Sequence, residues 1–382
     1  MQGMQRLSVN VWVKHREAGL LSIADSMEKS LVPLLGGVRV VDLYLGPLFF
    51  YGVRGITVVM DDEMAQARDY LLYKYRSHRI KVQNEQDAGR IASGGLRQRR
   101  TDSLLVLRAD GALLADWKGL VERLAALDDG TYAIVAAENQ RIGYFLNPCD
   151  RFGELIEPSP ASGVDAAWEK IDETLRSRAK PLKVTCTLYG LRTAHEDYTF
   201  QMAMMRDLEA FSGFLSAVPG EEKEKENLAR VEGTGFVKDS YVSSSCVVEG
   251  YVEGSILFPH VRVGQNAAVV NSVVMSNNYI GGGAVVHSAI LCTGGQLPKV
   301  TPNVGERSRV GEDDKTGANN RYPDFIFGGI TLVGENVEIP KDFRIARNCY
   351  IPTGTDKALL KGKDRIKAGD SLPDGHKSNH YE

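Results

Sequence analysis

The stretch from Cys246 to Cys292 repeats itself, and that repetition restricts the possible folds more than any other feature of the chain. A shift of 17 residues lays Cys246 over Val263 and Ile280, Val252 over Val269 and Val286, and Leu257 over Val274 and Leu291. Within each unit the aliphatic residues recur at spacings of 6, 5 and 6, with small or polar residues between them. An amphipathic helix needs apolar residues at i, i+3, i+4 and i+7, and a half-buried strand needs alternation, so neither fits. The spacing predicts a parallel β-helix: three short strands per turn, each sending one aliphatic side chain inward onto its equivalent in the next turn. A β-sandwich would instead show turn signals at intervals of about 8 to 12 residues. The pattern resumes at Val333, Ile339, Ile345 and Ile351, at intervals of six.

At 382 residues the chain exceeds one ordinary compact domain, so two or three are expected. A net charge of −3 argues against a general nucleic-acid binder. Because no apolar run reaches the roughly 18 residues of a membrane span, no membrane segment is expected. Residues 1–14 lack the pattern of a secretory signal. The five cysteines (Cys149, Cys186, Cys246, Cys292, Cys349) form no CxxC pair, which suits reduced thiols in a cytoplasm.

Ahead of the repeats, short apolar strands alternate with helical segments. Strands are predicted at residues 7–13, Gly55–Met60, Leu104–Leu107 and Tyr132–Ala136, and helices at Leu43–Tyr51, Met64–Tyr75 and Trp117–Leu127. That alternation predicts a mostly parallel sheet covered by helices. A further helix is expected around Val164–Arg178, an edge strand at Leu182–Tyr189 and a helix at Phe200–Ala217. The charged run Pro219–Glu226 reads as a solvated linker. The expected division is an α/β domain over 1–218, a linker over 219–230, a β-helix over 231–353 with an insert at 293–329, and a frayed or surface-draped polar tail over 354–382. In open parallel sheets ligands bind at the carboxyl ends of the strands, where Asp110 falls just after a buried strand; an aspartate there also serves as a simple turn or cap residue.

An α/β domain joined to a β-helix is the build of sugar nucleotidyltransferases, and three places make the resemblance specific. Lys29-Ser-Leu-Val-Pro33, Gly36-Gly37, Arg39-Val-Val-Asp42 and Gly52-Val53 resemble the K-P-x-V-P, G-G, R-[LI]-I-D and S-G-[IV] elements of ADP-glucose pyrophosphorylases. Leu105-Val-Leu-Arg-Ala-Asp110 followed by Ala115-Asp116-Trp117 resembles that family's strand ending in G-D and its M-D-Y. Tyr241–Val248 and Ser255–Val263 are similar to the start of its β-helix, including S-x-L-F-x-x-V-x-V. The fold implied is a Rossmann-like nucleotidyltransferase domain followed by a left-handed parallel β-helix of hexapeptide-type repeats.

The chain also departs from the family. Active members carry a G-G-x-G-T-R-L loop whose backbone N–H groups cradle nucleotide phosphates, with glycine permitting the close approach. The equivalent stretch, Val13–Ser22, holds a single glycine, Gly19, and Gly281-Gly-Gly283 reads as a corner of the coil. The family's glycine before the catalytic aspartate is Ala109, and its E-K-P and S-M-G-x-Y elements have no counterpart between Gly143 and Tyr189. Asp197 in His195-Glu-Asp197-Tyr is a weak match to the second metal-binding aspartate. Nucleotidyl transfer depends on positioning and on Mg²⁺ and cationic side chains that offset developing charge, so these losses bear directly on rate.

By resemblance, the chain is closest to a non-catalytic regulatory paralogue that accompanies a catalytic pyrophosphorylase in glycogen biosynthesis. Lys29 and Arg39 are then candidate effector or phosphate contacts; their structural alternative is a solvated lysine and an arginine paired with Asp42. A second reading is an active enzyme with an altered phosphate loop, in which Asp110 holds Mg²⁺. A third is acyl transfer at a β-helix histidine, His260 or His287, and a fourth is a scaffold. Expected partners are a catalytic homologue or a second copy, in assemblies up to a tetramer, and a sugar phosphate or nucleotide effector.

Overall fold

The computed structural model describes residues 7–15, 17–84, 103–136, 140–147, 163–207, 209, 211–212, 228–295, 301–312, 317–355, 357–360 and 362–373. The first unit is built on seven strands: β1 (Leu7–Val13), β2 (Gly55–Val59), β3 (Lys81–Gln83), β4 (Ser103–Ala109), β6 (Gly130–Val135), β7 (Arg141–Asn147) and β8 (Lys180–Lys183). They run in the order β3-β2-β1-β4-β7-β6-β8. All pairings are parallel except those of β7, which runs antiparallel to both β4 and β6. The central strand β4 carries a continuous aliphatic run, Leu104–Leu107, because both faces of the sheet are covered: Leu105 and Leu107 face one core with Val9 and Val11, and Leu104 and Val106 face the other with Trp12 and Tyr144.

Helices α1 (Asp42–Phe50), α2 (Ala65–Lys74), α3 (Trp117–Ala125) and α4 (Gly163–Arg176) fall within a few residues of expectation. Three details differ. The segment Leu182–Tyr189 is not one edge strand. It splits into β8, at the edge of the main sheet, and β9 (Cys186–Tyr189), which pairs antiparallel with β5 (Ala112–Ala115). The helix expected from Phe200 begins six residues earlier, as α5 (Ala194–Arg206), where the Thr193 hydroxyl caps it by accepting from the Glu196 N–H at 3.0 Å. Strand β7 has no counterpart among the sequence expectations.

From Arg230 onward the chain winds into a parallel β-helix with three sheets. The inward columns are largely as expected. Val252, Val269 and Val286 pair in succession, as do Leu257, Val274 and Leu291, and Val263 with Ile280. The first step is shorter than 17 residues: Val248, and not Cys246, pairs with Val263. Cys246 is instead a fully buried residue whose thiol contacts the Phe258 carbonyl at 3.1 Å. Turns at the prism edges place Asn266, Asn271, Asn277, Asn336 and Asn348 at positive φ, a conformation asparagine tolerates better than most residues.

Two further expectations are corrected. The 293–329 insert does not interrupt the whole prism: Val304 bridges Ile280 and Ile339, and Arg309–Val310 pairs with Val285–Val286 and Arg344–Ile345. Two faces therefore continue unbroken, and only the third face waits until Thr331–Val333. The polar tail is also not frayed over its described part. Arg365–Ile366 pairs with Arg344–Ile345, and Leu360, Ile366 and Leu372 are buried, closing the end of the prism with a last coil. Most of the 219–230 linker lies outside the described residues.

The prism's third face packs on the first unit. Along it, Ile256, Val273, Ile290, Leu332 and Tyr350 stand in register one behind the other, and all are buried in the same core as the α/β sheet. Residues of the 317–329 loop join this seam, where the His195 ring of α5 stacks on Phe327 with centroids 3.9 Å apart.

Candidate functional site

Parallel pairing of β1 with β4 sets Val13 beside Ala109, so Lys14 and Asp110 leave the sheet together at the carboxyl ends of their strands. Lys29 reaches the same point from a short 3-10 turn, Lys29–Leu31. Its side chain is only 1% exposed, and its ammonium donates to Asp110 Oδ1 at 2.8 Å, the Gly190 carbonyl at 2.9 Å and Glu17 Oε2 at 3.3 Å. An ammonium has three protons, so this one is fully used.

Asp110 has two more cations close by: Lys14 Nζ lies 3.7 Å from Oδ1 and Arg108 Nε 3.6 Å from Oδ2. Below it, the buried Tyr44 hydroxyl donates to the Gly111 carbonyl at 2.9 Å, and burial followed by the charge of Asp110 holds its pKa far above the usual phenol value. A magnesium ion takes near-ideal octahedral oxygen coordination and keeps several waters. Here both carboxylate oxygens already face cations, and no group of three or more metal-ligating side chains occurs among the described residues. The residues present do not fit Mg²⁺ at Asp110.

The segment that would cradle phosphates has another task. Residues Ala18–Ile23 form a short 3-10 stretch in which Gly19, Leu20, Leu21, Ser22 and Ile23 are buried. A side chain at Gly19 would meet the Arg192 carbonyl oxygen at 2.1 Å and the Phe325 ring at 3.2 Å. The Ser22 hydroxyl lies 2.9 Å from the Tyr350 hydroxyl and accepts from the Thr353 N–H at 3.1 Å, both on the prism. Close approach by backbone is thus preserved at Gly19, but what approaches is protein.

Comparison with known proteins adds to this geometry. A family model described as the GlmU-like C-terminal hexapeptide matches residues 226–333. The glucose-1-phosphate adenylyltransferase of Acetivibrio thermocellus is 37% identical over 118 residues, 31% of this chain and 26% of that protein. The enzyme of the same name from Rhodospirillum rubrum is 41% identical over 103 residues, 27% of this chain and 22% of that one. That of a Parafrankia species is 33% identical over 190 residues, 48% of this chain and 43% of its own. Over these parts of its length the chain is similar to glucose-1-phosphate adenylyltransferases. The matches span less than half the length of each of these relatives.

The other candidate residues do not gather at Asp110. Arg39 is half-buried: its guanidinium donates to the Leu31 carbonyl at 2.9 Å and lies 5.9 Å from the centre of the Tyr70 ring. Its backbone N–H, and not its side chain, meets Asp42, whose cation partner is Lys74 at 2.9 Å. Lys29, sealed and engaged, would have to leave Asp110 before it could hold an effector. Asp197 is fully buried in the first turn of α5. One of its oxygens accepts from Gln201 at 3.1 Å, the other has no partner, and burial pushes its pKa up to about 7. Its neighbourhood is the seam with the prism. There Cys292 is fully buried, and burial followed by Glu335, Asp25 and Asp197 raises its thiol pKa.

Of the two prism histidines, His260 is an exposed corner residue with φ of 64°. His287 is half-buried with an unpartnered Nδ1, and burial followed by the Arg347 charge lowers its pKa. The motif aspartate Asp116 caps α3 through the Gly119 N–H at 2.9 Å.

Sequence reasoning did not single out Lys14, Glu17, Arg108 and Gly190 as members of the site. Lys14 and Arg108 carried a signal, since charged residues at the carboxyl end of a buried strand belong to the crevice. Gly190 offers only a backbone carbonyl, which no residue type announces.

Proposed function

We propose that this chain is a regulatory, non-catalytic glucose-1-phosphate adenylyltransferase-like subunit that associates with a catalytic homologue in α-glucan synthesis. The observation that carries the proposal is the sealed Lys29 ammonium 2.8 Å from Asp110, occupying the side of the carboxylate that a metal would need. The burial of Leu20–Ile23 against the prism supports it, because a segment that buttresses a domain contact is not free to wrap a triphosphate. Partial kinship with glucose-1-phosphate adenylyltransferases supports the pathway assignment. An active enzyme is the second reading; in its favour, the Asp110 side chain remains 22% exposed at the strand end.

The test is an assay of the purified full chain with ATP, glucose 1-phosphate and Mg²⁺, alone and mixed with a catalytic glucose-1-phosphate adenylyltransferase. Expected are no turnover alone and a changed substrate response of the partner in the mixture. Turnover alone at about one per second or faster, an ordinary enzyme rate, would refute the proposal.

A further inference from the structure

One face of the prism, left uncovered by the first unit, carries two different chemistries at its two ends. The seven strands of this face pair side by side without a register shift, so their outward residues form a straight column. The column starts with Phe236 and Tyr251 and passes through the smaller Ala268 and Val285. It ends with Arg309, Arg344 and Arg365. At a strand spacing of about 4.8 Å the column is about 29 Å long.

Neither end is satisfied within the chain. Phe236 is 51% exposed and Tyr251 36%, and their rings stack with centroids 5.7 Å apart into one aromatic surface. At the other end three guanidiniums in cross-strand register repel one another. Glu312 offsets Arg309 at 2.9 Å, whereas Arg344 and Arg365 are exposed and have no ion-pair partner among the described residues. A guanidinium is attracted to the face of an aromatic ring. The prism already uses that contact on a neighbouring face, where Arg262 and Tyr279 stand in cross-strand register with the guanidinium 4.8 Å from the ring centre.

We propose that this face pairs with the same face of a second copy of the chain, the two prisms running antiparallel. The order of the column selects that partner. Val285 is its middle position, with Phe236 and Arg365 equally far from it on opposite sides, and likewise Tyr251 and Arg344. A two-fold axis along the Val285 strand therefore sets Phe236 of each copy against Arg365 of the other, and Tyr251 against Arg344. Ala268 then meets Arg309 and is small enough to leave room for it and Glu312. Glu253, outward on the same strand as Tyr251, adds a carboxylate next to Arg344. The contact is isologous: one face supplies both halves of it, each in the order the other needs. Arginine and aromatic side chains carry the affinity, and the central Val285 contact mainly sets the spacing. Because the stripe is narrow, the pairing is reversible, with Kd of about 1 to 50 μM. It does not rest on the regulatory reading and holds whether or not the chain is catalytic.

The test is sedimentation equilibrium of the full chain between about 1 and 100 μM, beside the double variants Phe236→Ser/Tyr251→Ser and Arg344→Gln/Arg365→Gln. Each double variant loses every arginine–aromatic contact of its own dimer and should self-associate at least about tenfold more weakly at an unchanged thermal midpoint. An equimolar mixture of the two regains those contacts at one end, where the arginines of one variant meet the rings of the other. The mixture should therefore associate more tightly than either variant alone. If a double variant is unstable, the single variants Phe236→Ser and Arg365→Gln, both at exposed side chains, carry the same mixing test with expected losses of about threefold or more. A wild-type chain that stays monomeric, association unchanged in the folded variants, or a mixture no tighter than its components overturns the proposal.

Discussion

At Lys29 a single side chain decides what the crevice can be. Its ammonium satisfies Asp110, Glu17 and a backbone carbonyl at once, so removing it strands three acceptors. Lys14 and Arg108 remain near Asp110, which keeps the cost below that of a fully isolated buried pair. Lys29→Met should lower stability by about 2 to 3 kcal/mol in urea titration. Adding Asp110→Asn should return part of that loss, as a double-mutant cycle would register.

Asp197 makes a second prediction at this scale. Its folded pKa of about 7 stands above the unfolded carboxylate value near ~3.9. Below about pH 3 both states hold the proton and there is no penalty. As pH rises toward 7 the unfolded state releases its proton first, and the folded protein loses stability, by roughly 4 kcal/mol at most above pH 7. Asp197→Asn should therefore be more stable than wild type at pH 8 and nearly equal to it at pH 3.

At the scale of elements, the three faces of the prism differ in what their outward residues meet. On the docked face the outward residues are Ile256, Val273, Ile290, Leu332 and Tyr350, each next to an inward aliphatic residue, so both members of every pair are apolar. On the neighbouring face the outward positions become Arg309, Arg344 and Arg365. The doubled apolar pairs were present in the sequence as a mark of the docked face. They look redundant only if inward packing alone is considered. Ile290→Ala should cost about 2 to 4 kcal/mol, while Val285→Ala, outward on the undocked face, should cost less than about 1 kcal/mol, with both read from denaturant midpoints. The 3-10 stretch Ala18–Ile23 belongs to the same seam.

For the whole molecule, the last coil closes a stack of open-edged strands. Unpaired strand edges recruit other chains, so a prism end needs a cap. Ending the chain after Gly354 would remove Leu360, Ile366 and Leu372 and uncover the Arg344–Ile345 edge. The truncated protein should melt at a lower temperature and self-associate, as measured by thermal scanning and light scattering. No helix among the described residues is long and apolar enough to cross a membrane. The two units instead share one core, in which the α/β sheet and the prism's docked face bury each other's apolar surface.

The sequence alone determined the prism, because inward columns must recur at a fixed spacing whatever the surroundings. It also determined the helices of the first unit and the position of Asp110 at a strand end, since local periodicity carries those features. It could not show that residues 354–373 form a coil, because their apolar residues are few and only their pairing with Arg344–Ile345 gives them a partner. Nor could it join Lys29 to Asp110, or bring the Val13–Ser22 segment to Tyr350. Those contacts link positions 81 and 328 residues apart, and distance along a chain says nothing about proximity until the sheet and the seam have formed.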